Sequence, residues 1–237
     1  MENIKTLRTA KGNLIIVSLG GSIVCPDGID IGFLKSFNLF IRRHLKIGYR
    51  FGIVVGGGGP ARVYQNAASD ILSSVSDEDK DWIGIHATRL NAQLLRTIFK
   101  DVANPVVFDS SRKITRSKHP VFIASGWEPG WSTDYIAASI AAHFGAPMFI
   151  NAGKPSHVFD KDPARHKDAK KFDALTWREY RRLIPRRWSP GLSSPIDPVA
   201  AKLCEERSIK AAVINGKDLK NFAKVIAGKK FNGTLIS

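Results

Sequence analysis

The apolar positions of this chain follow two rhythms. Short unbroken apolar runs at residues 13–19, 51–55, 121–124, 147–151 and 211–214 have the length and β-branched content of buried strands. Residues 106–108 and 233–236 read as further short strands. Between the runs, apolar residues recur at helical spacing. Leu34, Phe37, Ile41 and Leu45 follow a capping Asp30, and Ile83, Ala87, Leu90, Leu94 and Ile98 mark a long helix from Trp82. Ile136, Ala137, Ile140, Ala141 and Phe144 follow a capping Ser132. Further helices are predicted at 176–184, from Asp197 and Pro198 to about Arg207, and from Asp218, with a turn at Ser189, Pro190 and Gly191. Strand alternating with helix predicts an α/β protein with a mainly parallel sheet and right-handed crossovers. No repeat or long linker interrupts the pattern, so the whole chain, 1–237, reads as one domain.

Two of the strands end in glycine. The first runs into Gly20, Gly21 and Ser22; the second, 51–55, runs into Gly56, Gly57, Gly58 and Gly59 and then a helix predicted to open at Pro60. Glycine lets backbone N–H groups turn sharply toward a ligand. A helix N-terminus carries partial positive charge and free donors that suit an anion. Arg62, in the first turn, has the fork geometry that clamps phosphate oxygens. The stretch is not a Walker A loop, because no Gly-Lys-Ser/Thr follows. Gly56, Gly58 and Ala61 match a G-x-G-x-x-A dinucleotide pattern, with Asp77, Glu78 and Asp79 about twenty residues on. Two glycine turns after parallel strands lie at the same C-terminal sheet edge, where ligands of open α/β sheets bind. Asp81 stands at the predicted start of the long helix, where a carboxylate also serves as a cap.

Composition narrows the setting. The hydrophobic share of 43% and charged share of 24% are those of an ordinary globular chain. The first residues lack the apolar run of a signal peptide, no apolar run is long enough to span a bilayer, and two cysteines make no disulfide framework, so a cytoplasmic protein is expected. Lys and Arg number 36 against 21 Asp and Glu, a net charge of +15. Residues 161–187 hold ten of the basic residues and four acidic ones. No nucleic-acid-binding signature accompanies them, and they read as a solvated basic face.

Taken in order, the motifs resemble the uridylate (UMP) kinases of the amino acid kinase family, closest to the archaeal-type ones. The resemblance rests on VSLGGS at 17–22, VVGGG at 54–58 with Arg62, and DWIGIHATRLN at 81–91. It continues through PGWSTD at 129–134, VFDKDP at 158–163, SPIDPVAAK at 194–202 and GTLI at 233–236. It implies a three-layer sandwich, a central sheet between helices, with an acceptor-nucleotide half at 1–145 and an ATP-binding half at 146–237. It further implies that Gly57, Gly58 and Arg62 hold the UMP phosphate, that Asp81 binds the ribose, and that Ser125 and Thr133 lie beside the uridine. Gly20, Gly21 and Ser22 would approach the phosphates in transfer, and Asp134 would orient the cationic groups or Mg2+. Lys154, Phe159 and Asp162 would hold ATP, with Lys154 acting on the phosphates. Mg2+ would arrive with ATP, with no residue assigned as its protein ligand. The assembly implied is a homohexamer, with no membrane or specific nucleic-acid partner.

The chemistry suits the inventory. The attacking phosphate oxygen is already anionic, so transfer needs alignment and charge neutralisation rather than a general base. Two positions depart from the family pattern. Ser18 stands where many relatives carry a lysine, and the donor segment 153–159 keeps Lys154 and the aromatic Phe159 but lacks the usual acidic residue and glycine. Two other readings are a family member phosphorylating another small acid, such as an acylated amino acid, and a non-catalytic nucleotide or oxyanion binder. A Rossmann dehydrogenase leaves the turn at Gly20 and Gly21 unexplained.

Overall fold

A computed structural model describes residues 13–187 and 194–237. The turn expected at Ser189, Pro190 and Gly191, and the first twelve residues, lie outside the described residues.

In chain order, β1 (Leu14–Leu19) leads through α1 (Gly21–Val24) and α2 (Ile31–Lys46) to β2 (Arg50–Val55). Helices α3 (Gly58–Ile71) and α4 (Asp77–Ile98) lead to β3 (Val121–Ala124), and α5 (Thr133–Phe144) to β4 (Met148–Gly153). A small hairpin of β5 (Val158–Phe159) and β6 (Lys171–Phe172) follows, then β7 (Ala174–Leu175), α6 (Trp177–Leu183) and α7 (Pro198–Arg207). Strand β8 (Lys210–Asn215), α8 (Leu219–Ile226) and β9 (Thr234–Ile236) complete the chain. Seven strands form one sheet in the order β3-β2-β1-β4-β8-β9-β7, parallel except where β9 runs antiparallel to β8.

Successive strand residues face opposite sides, and each side buries its own core. Ile15, Val17, Leu19, Ile53 and Val55 pack with Phe37, Ile41, Leu95 and Phe222 from α2, α4 and α8. Ile16, Val54, Phe122 and Phe149 pack with Ile140, Tyr180 and Cys204 from α5, α6 and α7. A parallel sheet covered on both faces needs apolar residues at every position, which is why these strands read as unbroken runs. The three-layer sandwich expected from the resemblance is the fold observed.

The caps follow the sequence closely. Asp30 accepts from the Phe33 amide at 2.9 Å, Asp218 from Asn221 at 2.9 Å, and Thr176 and Glu179 form a capping box on α6. Four expectations are corrected. Helix α3 begins at Gly58, in a left-handed conformation (φ 71°), so Pro60 sits inside the first turn, where its missing N–H still has no intrahelical acceptor to lose. Helix α4 begins at Asp77 behind the Ser76 cap, because acidic side chains are favoured against the positive end of a helix. Asp81 therefore lies in its second turn and caps nothing. The inward face of α4 is Ile85, Thr88, Ala92 and Leu95, while Leu90 of the expected stripe is 69% exposed. Two polar residues on that inward face, Thr88 and Asn91, hid it. Residues 106–108 form no strand; Phe108 makes a single bridge to Ala124.

The sheet positions the site. From β1, the chain grows outward through β2 and β3 on one side and through β4 and β8 on the other. The carboxyl ends of β1 and β4, where Leu19 pairs with Ala152, flank the crevice at which such sheets take their ligands.

Candidate active site

The two glycine turns interlock. The Gly20 amide donates to the Ala152 carbonyl at 3.0 Å, that of Gly56 to Leu19 at 3.0 Å, and that of Gly59 to Cys25 at 2.7 Å. A Cβ on Gly21 would lie 2.2 Å from the Gly58 nitrogen and 2.5 Å from the Gly56 carbonyl carbon, and one on Gly59 would lie 2.1 Å from the Pro26 oxygen. The glycines thus let the two turns pack backbone on backbone. Asn91 seals the join by donating to the carbonyls of Gly56 and Gly57 at 2.8 and 3.0 Å.

On one side of this join is a cavity of about 330 Å³. Gly57, Gly58, Arg62, Asp81 and Thr133 all line it, as does Trp131, which with Trp127 reads from the sequence as a lid, stacking or core-edge residue; Thr88 and Gly126 line it too and were not among the expected site residues. The exposed Arg62 guanidinium donates to the Pro26 carbonyl at 3.2 Å. The Asp81 carboxylate accepts from the Gly130 amide at 2.9 Å, tying α4 to the loop before α5, and burial raises its pKa above the usual carboxylate range. Thr88 accepts from the Gly126 amide at 2.7 Å. Ser125, expected beside the ligand, is wholly buried with its hydroxyl 3.4 Å from the Gly126 carbonyl, and it does not line the cavity; the backbone of Gly126 does. The two loop tryptophans divide their roles. Trp127 is buried and donates to the Phe108 carbonyl at 3.0 Å, while Trp131 stays at the cavity.

On the other side is a cleft of about 630 Å³, lined by Lys154, Phe159 and Asp162 together with Ile184 and Pro185. Lys154 is exposed. Asp162 is partly engaged as a turn cap, accepting from the Ala164 amide at 2.9 Å. Gly20, Gly21 and Ser22 do not line this cleft. They lie between the two cavities, Gly20 against Gly153 and Gly21 against Gly56 and Gly58.

Between the cavities lies a pair of carboxylates, Asp134 at the start of α5 and Asp197 at the cap of α7. The Oδ1 of Asp134 accepts from the Ser18 hydroxyl at 2.6 Å and from Asn151 Nδ2 at 2.8 Å, and its Oδ2 has no partner among the described residues. Burial, then the charge of Asp197, pushes the Asp134 carboxyl up to about 7. Asp197 accepts from the Ser132 hydroxyl and from the amides of Val199 and Ala200 at 2.8 and 3.0 Å, and burial raises its pKa too. Ser18, the residue standing in place of a lysine, is therefore a holder of Asp134. The sequence singled out Asp134 but used Asp197 only as the start of a helix; its place beside Pro198 gave no sign of a second role. Among the described residues no three His, Cys, Asp or Glu side chains gather as a metal site.

The model of the amino acid kinase family matches residues 13–215. The chain is 35% identical over 230 residues to the uridylate kinase of Methanocaldococcus jannaschii, covering 94% of this chain and 98% of that protein. It is 34% identical over 225 residues to the uridylate kinase of Methanocorpusculum labreanum, covering 94% of each. The crystal structure of uridylate kinase from Archaeoglobus fulgidus superposes with a TM-score of 0.78 at 32% identity, over 94% of this chain and 99% of that one. A UMP kinase from Bacillus anthracis shares the fold, with a TM-score of 0.75 at 18% identity over 94% and 95% of the two chains.

Proposed function

This chain belongs to the amino acid kinase family, and we propose that it transfers the γ-phosphoryl group of ATP to UMP, giving ADP and UDP for pyrimidine nucleotide synthesis. The observation that carries the reading is the pair of cavities flanking one interlocked glycine turn, on a chain similar over nearly its whole length to uridylate kinases. Residues 1–145 supply the acceptor cavity and 146–237 most of the donor cleft. UMP enters the first, its phosphate against Gly57, Gly58 and Arg62 and its ribose hydroxyls on Asp81. ATP enters the second, its base beside Phe159 and its phosphates toward Lys154 and the turn at Gly20, Gly21 and Ser22.

The acceptor phosphate oxygen attacks as an anion, so the protein's work is to hold two phosphate groups in line and offset their charge. Mg2+ fits the residues present. Asp134 Oδ2 and the Asp197 carboxylate are hard oxygen donors, and a divalent cation offsets the burial that raises both pKa values and the charge of Asp197 that raises Asp134 further. When bound, the ion neutralises charge on the transferred group. Ser18 and Asn151 orient the Asp134 carboxylate, and the Ser132 hydroxyl donates to Asp197 while accepting from the backbone amides of Asp134 and Tyr135, which ties the α7 cap to the start of α5.

A coupled assay offering UMP, CMP, dUMP or acetylglutamate with ATP and Mg2+ tests the assignment. UMP should be the preferred acceptor. Preference for acetylglutamate would overturn it, and UMP binding without turnover would leave a non-catalytic binder. Arg62→Ala should weaken UMP binding by about ten- to a hundred-fold, the roughly 1.5–3 kcal/mol of a charge-assisted hydrogen bond; titration calorimetry reads this directly. Lys154→Ala should lower kcat by about the same factor with UMP affinity unchanged, since its ammonium meets the donor phosphates rather than the acceptor. Turnover at the parent rate would remove Lys154 from the reaction.

The outer surface of α3 and α4 supports assembly into a homohexamer. Val63 and Tyr64 on α3 are 66% and 68% exposed, Ile71 is 80% exposed, and Leu90 and Trp82 on α4 add to the same pair of helices. Apolar side chains this exposed on two neighbouring helices suit burial against a second copy. Light scattering at working concentration should give a hexamer, and Val63→Glu should shift it to smaller species. No helix among the described residues is long and apolar enough to cross a membrane.

A further inference from the structure

We propose that the basic groove between α6 and α7 binds a small polyphosphate anion and, through a wall shared with the donor cleft, sets the affinity for ATP. The groove encloses about 570 Å³ and is lined by Arg178, Arg181, Arg182, Arg186 and Lys202. Its one carboxylate, Glu205, is already paired with Arg181. Among the described residues Arg178, Arg182 and Arg186 have no ion-pair partner, and Lys202 reaches Glu206 only at 3.8 Å.

Helix electrostatics does not explain this set. Cations are favoured in the last turn of a helix, which accounts for Arg181 and Arg182. Arg178, however, lies in the first turn of α6, where the helix field opposes a cation, and Lys202 follows the N-terminus of α7. Arg178 and Arg182 also stand at the i,i+4 spacing, at which like charges repel. The cluster is destabilising in isolation and is relieved by an anion. One phosphate could neutralise only part of it, whereas a chain of two or three phosphates spans it. The groove is concave, and its lining also includes the apolar Ile184, Pro185, Pro198 and Val199, a setting for a compact ligand rather than an extended nucleic-acid strand. The Val199 and Ala200 amides are taken by Asp197, so the arginines and Lys202 must hold the anion.

The groove is coupled to the active site through two connections. Ile184 and Pro185 line both the groove and the donor cleft. The Tyr180 hydroxyl of α6 donates to the Ile196 carbonyl at 2.6 Å and accepts from its amide at 2.8 Å, one residue before Asp197. An anion that clamps α6 to α7 therefore fixes the wall against which ATP binds.

The test uses inorganic tripolyphosphate and the full chain. With both substrate cavities filled by UMP and a non-hydrolysable ATP analogue, equilibrium dialysis should show about one tripolyphosphate bound per chain. The double variant Arg178→Gln/Arg182→Gln, distant from the reacting groups, should weaken that binding by about ten-fold or more, the scale of lost charge-assisted contacts. In a second arm, tripolyphosphate should change the affinity of the parent for the ATP analogue by about three-fold or more, a coupling of ordinary size, saturating with tripolyphosphate and absent in the variant. Equal binding to parent and variant, or none to the parent, overturns the site. A single-stranded RNA oligonucleotide that displaces tripolyphosphate and binds more tightly overturns it in favour of a nucleic-acid surface. An unchanged ATP-analogue affinity at saturation overturns the coupling. Failure of the ATP analogue to bind at all would instead strike the kinase reading, on which the coupling to ATP rests, while the comparison of tripolyphosphate binding to parent and variant still decides the site.

Discussion

Replacing Asp134 by Asn should remove most of the turnover and at the same time make the protein more stable at neutral and alkaline pH. The two effects share one cause. The Asp134 carboxyl, pushed up to about 7, is a group the fold disfavours as an anion. Its folded pKa lies above the unfolded value of about 3.9. The folded state therefore holds the proton more tightly, and stability falls as the pH rises from about 4 toward about 7. Asn keeps the shape and can accept from Ser18 and Asn151 through its single oxygen, so the variant should lack this decline and match the parent in acid. Activity should move the other way. Losing a preorganised charge at the transferred phosphate costs about 10²–10³-fold in kcat on the scale of comparable electrostatic deletions. In the parent, kcat/KM should fall below a pH of about 7 as Asp134 takes up its proton. In Asp134→Asn that inflection should vanish, leaving the titration of the UMP phosphate itself near 6. Denaturant midpoints at two pH values and a pH–rate profile read both halves. A variant of parental activity would sink the role of this carboxylate, and one less stable than the parent at alkaline pH would sink the account of its burial.

Gly21→Ala should be among the most damaging conservative changes in the chain. Its added methyl would lie 2.2 Å from the Gly58 nitrogen and 2.5 Å from the Gly56 carbonyl carbon. These are backbone atoms on a second, equally tight turn, so neither side has a rotamer through which to yield. The cost should reach the upper end of the roughly 1–3 kcal/mol typical of overpacking, or beyond it, and any relaxation must part the two turns. UMP affinity should fall with stability, because Gly57 and Gly58 would be displaced from the acceptor cavity. By contrast Gly130→Ala adds a methyl that meets nothing within 4 Å, at a backbone angle (φ 86°) that costs strain but does not touch the join. Should Gly21→Ala melt at the parent's midpoint and bind UMP as well, the interlocking of the two turns is not what these glycines serve.

Much of the fold was legible in the linear pattern because the relevant physics is local. Unbroken apolar runs mark strands covered on both faces, and side chains such as Asp30, Ser132, Thr176 and Asp218 mark helix starts by pairing with amides two or three residues on. The glycine turns and Arg62 were legible as candidate ligand-binding groups for the same reason: an anion-binding turn is a short-range motif. Asp81 read locally as a cap and was singled out for a ligand by the family resemblance. What failed locally was the face of α4. Its inward side carries Thr88 and Asn91, whose partners at Gly126, Gly56 and Gly57 lie 34 to 38 residues away, so amphipathicity misled. Three further matters were decided by tertiary structure alone. The glycines of two turns 36 residues apart make room for each other, which no spacing rule announces. Ser125 is spent in the core while Gly126 takes its place at the cavity. Asp197, legible only as a cap, becomes the charged neighbour of Asp134 because α5 and α7 pack on the same face of the sheet. A chain pattern reports what each residue does to its own segment; which charges share a low-dielectric site depends on distances that exist only once the sheet has brought the segments together.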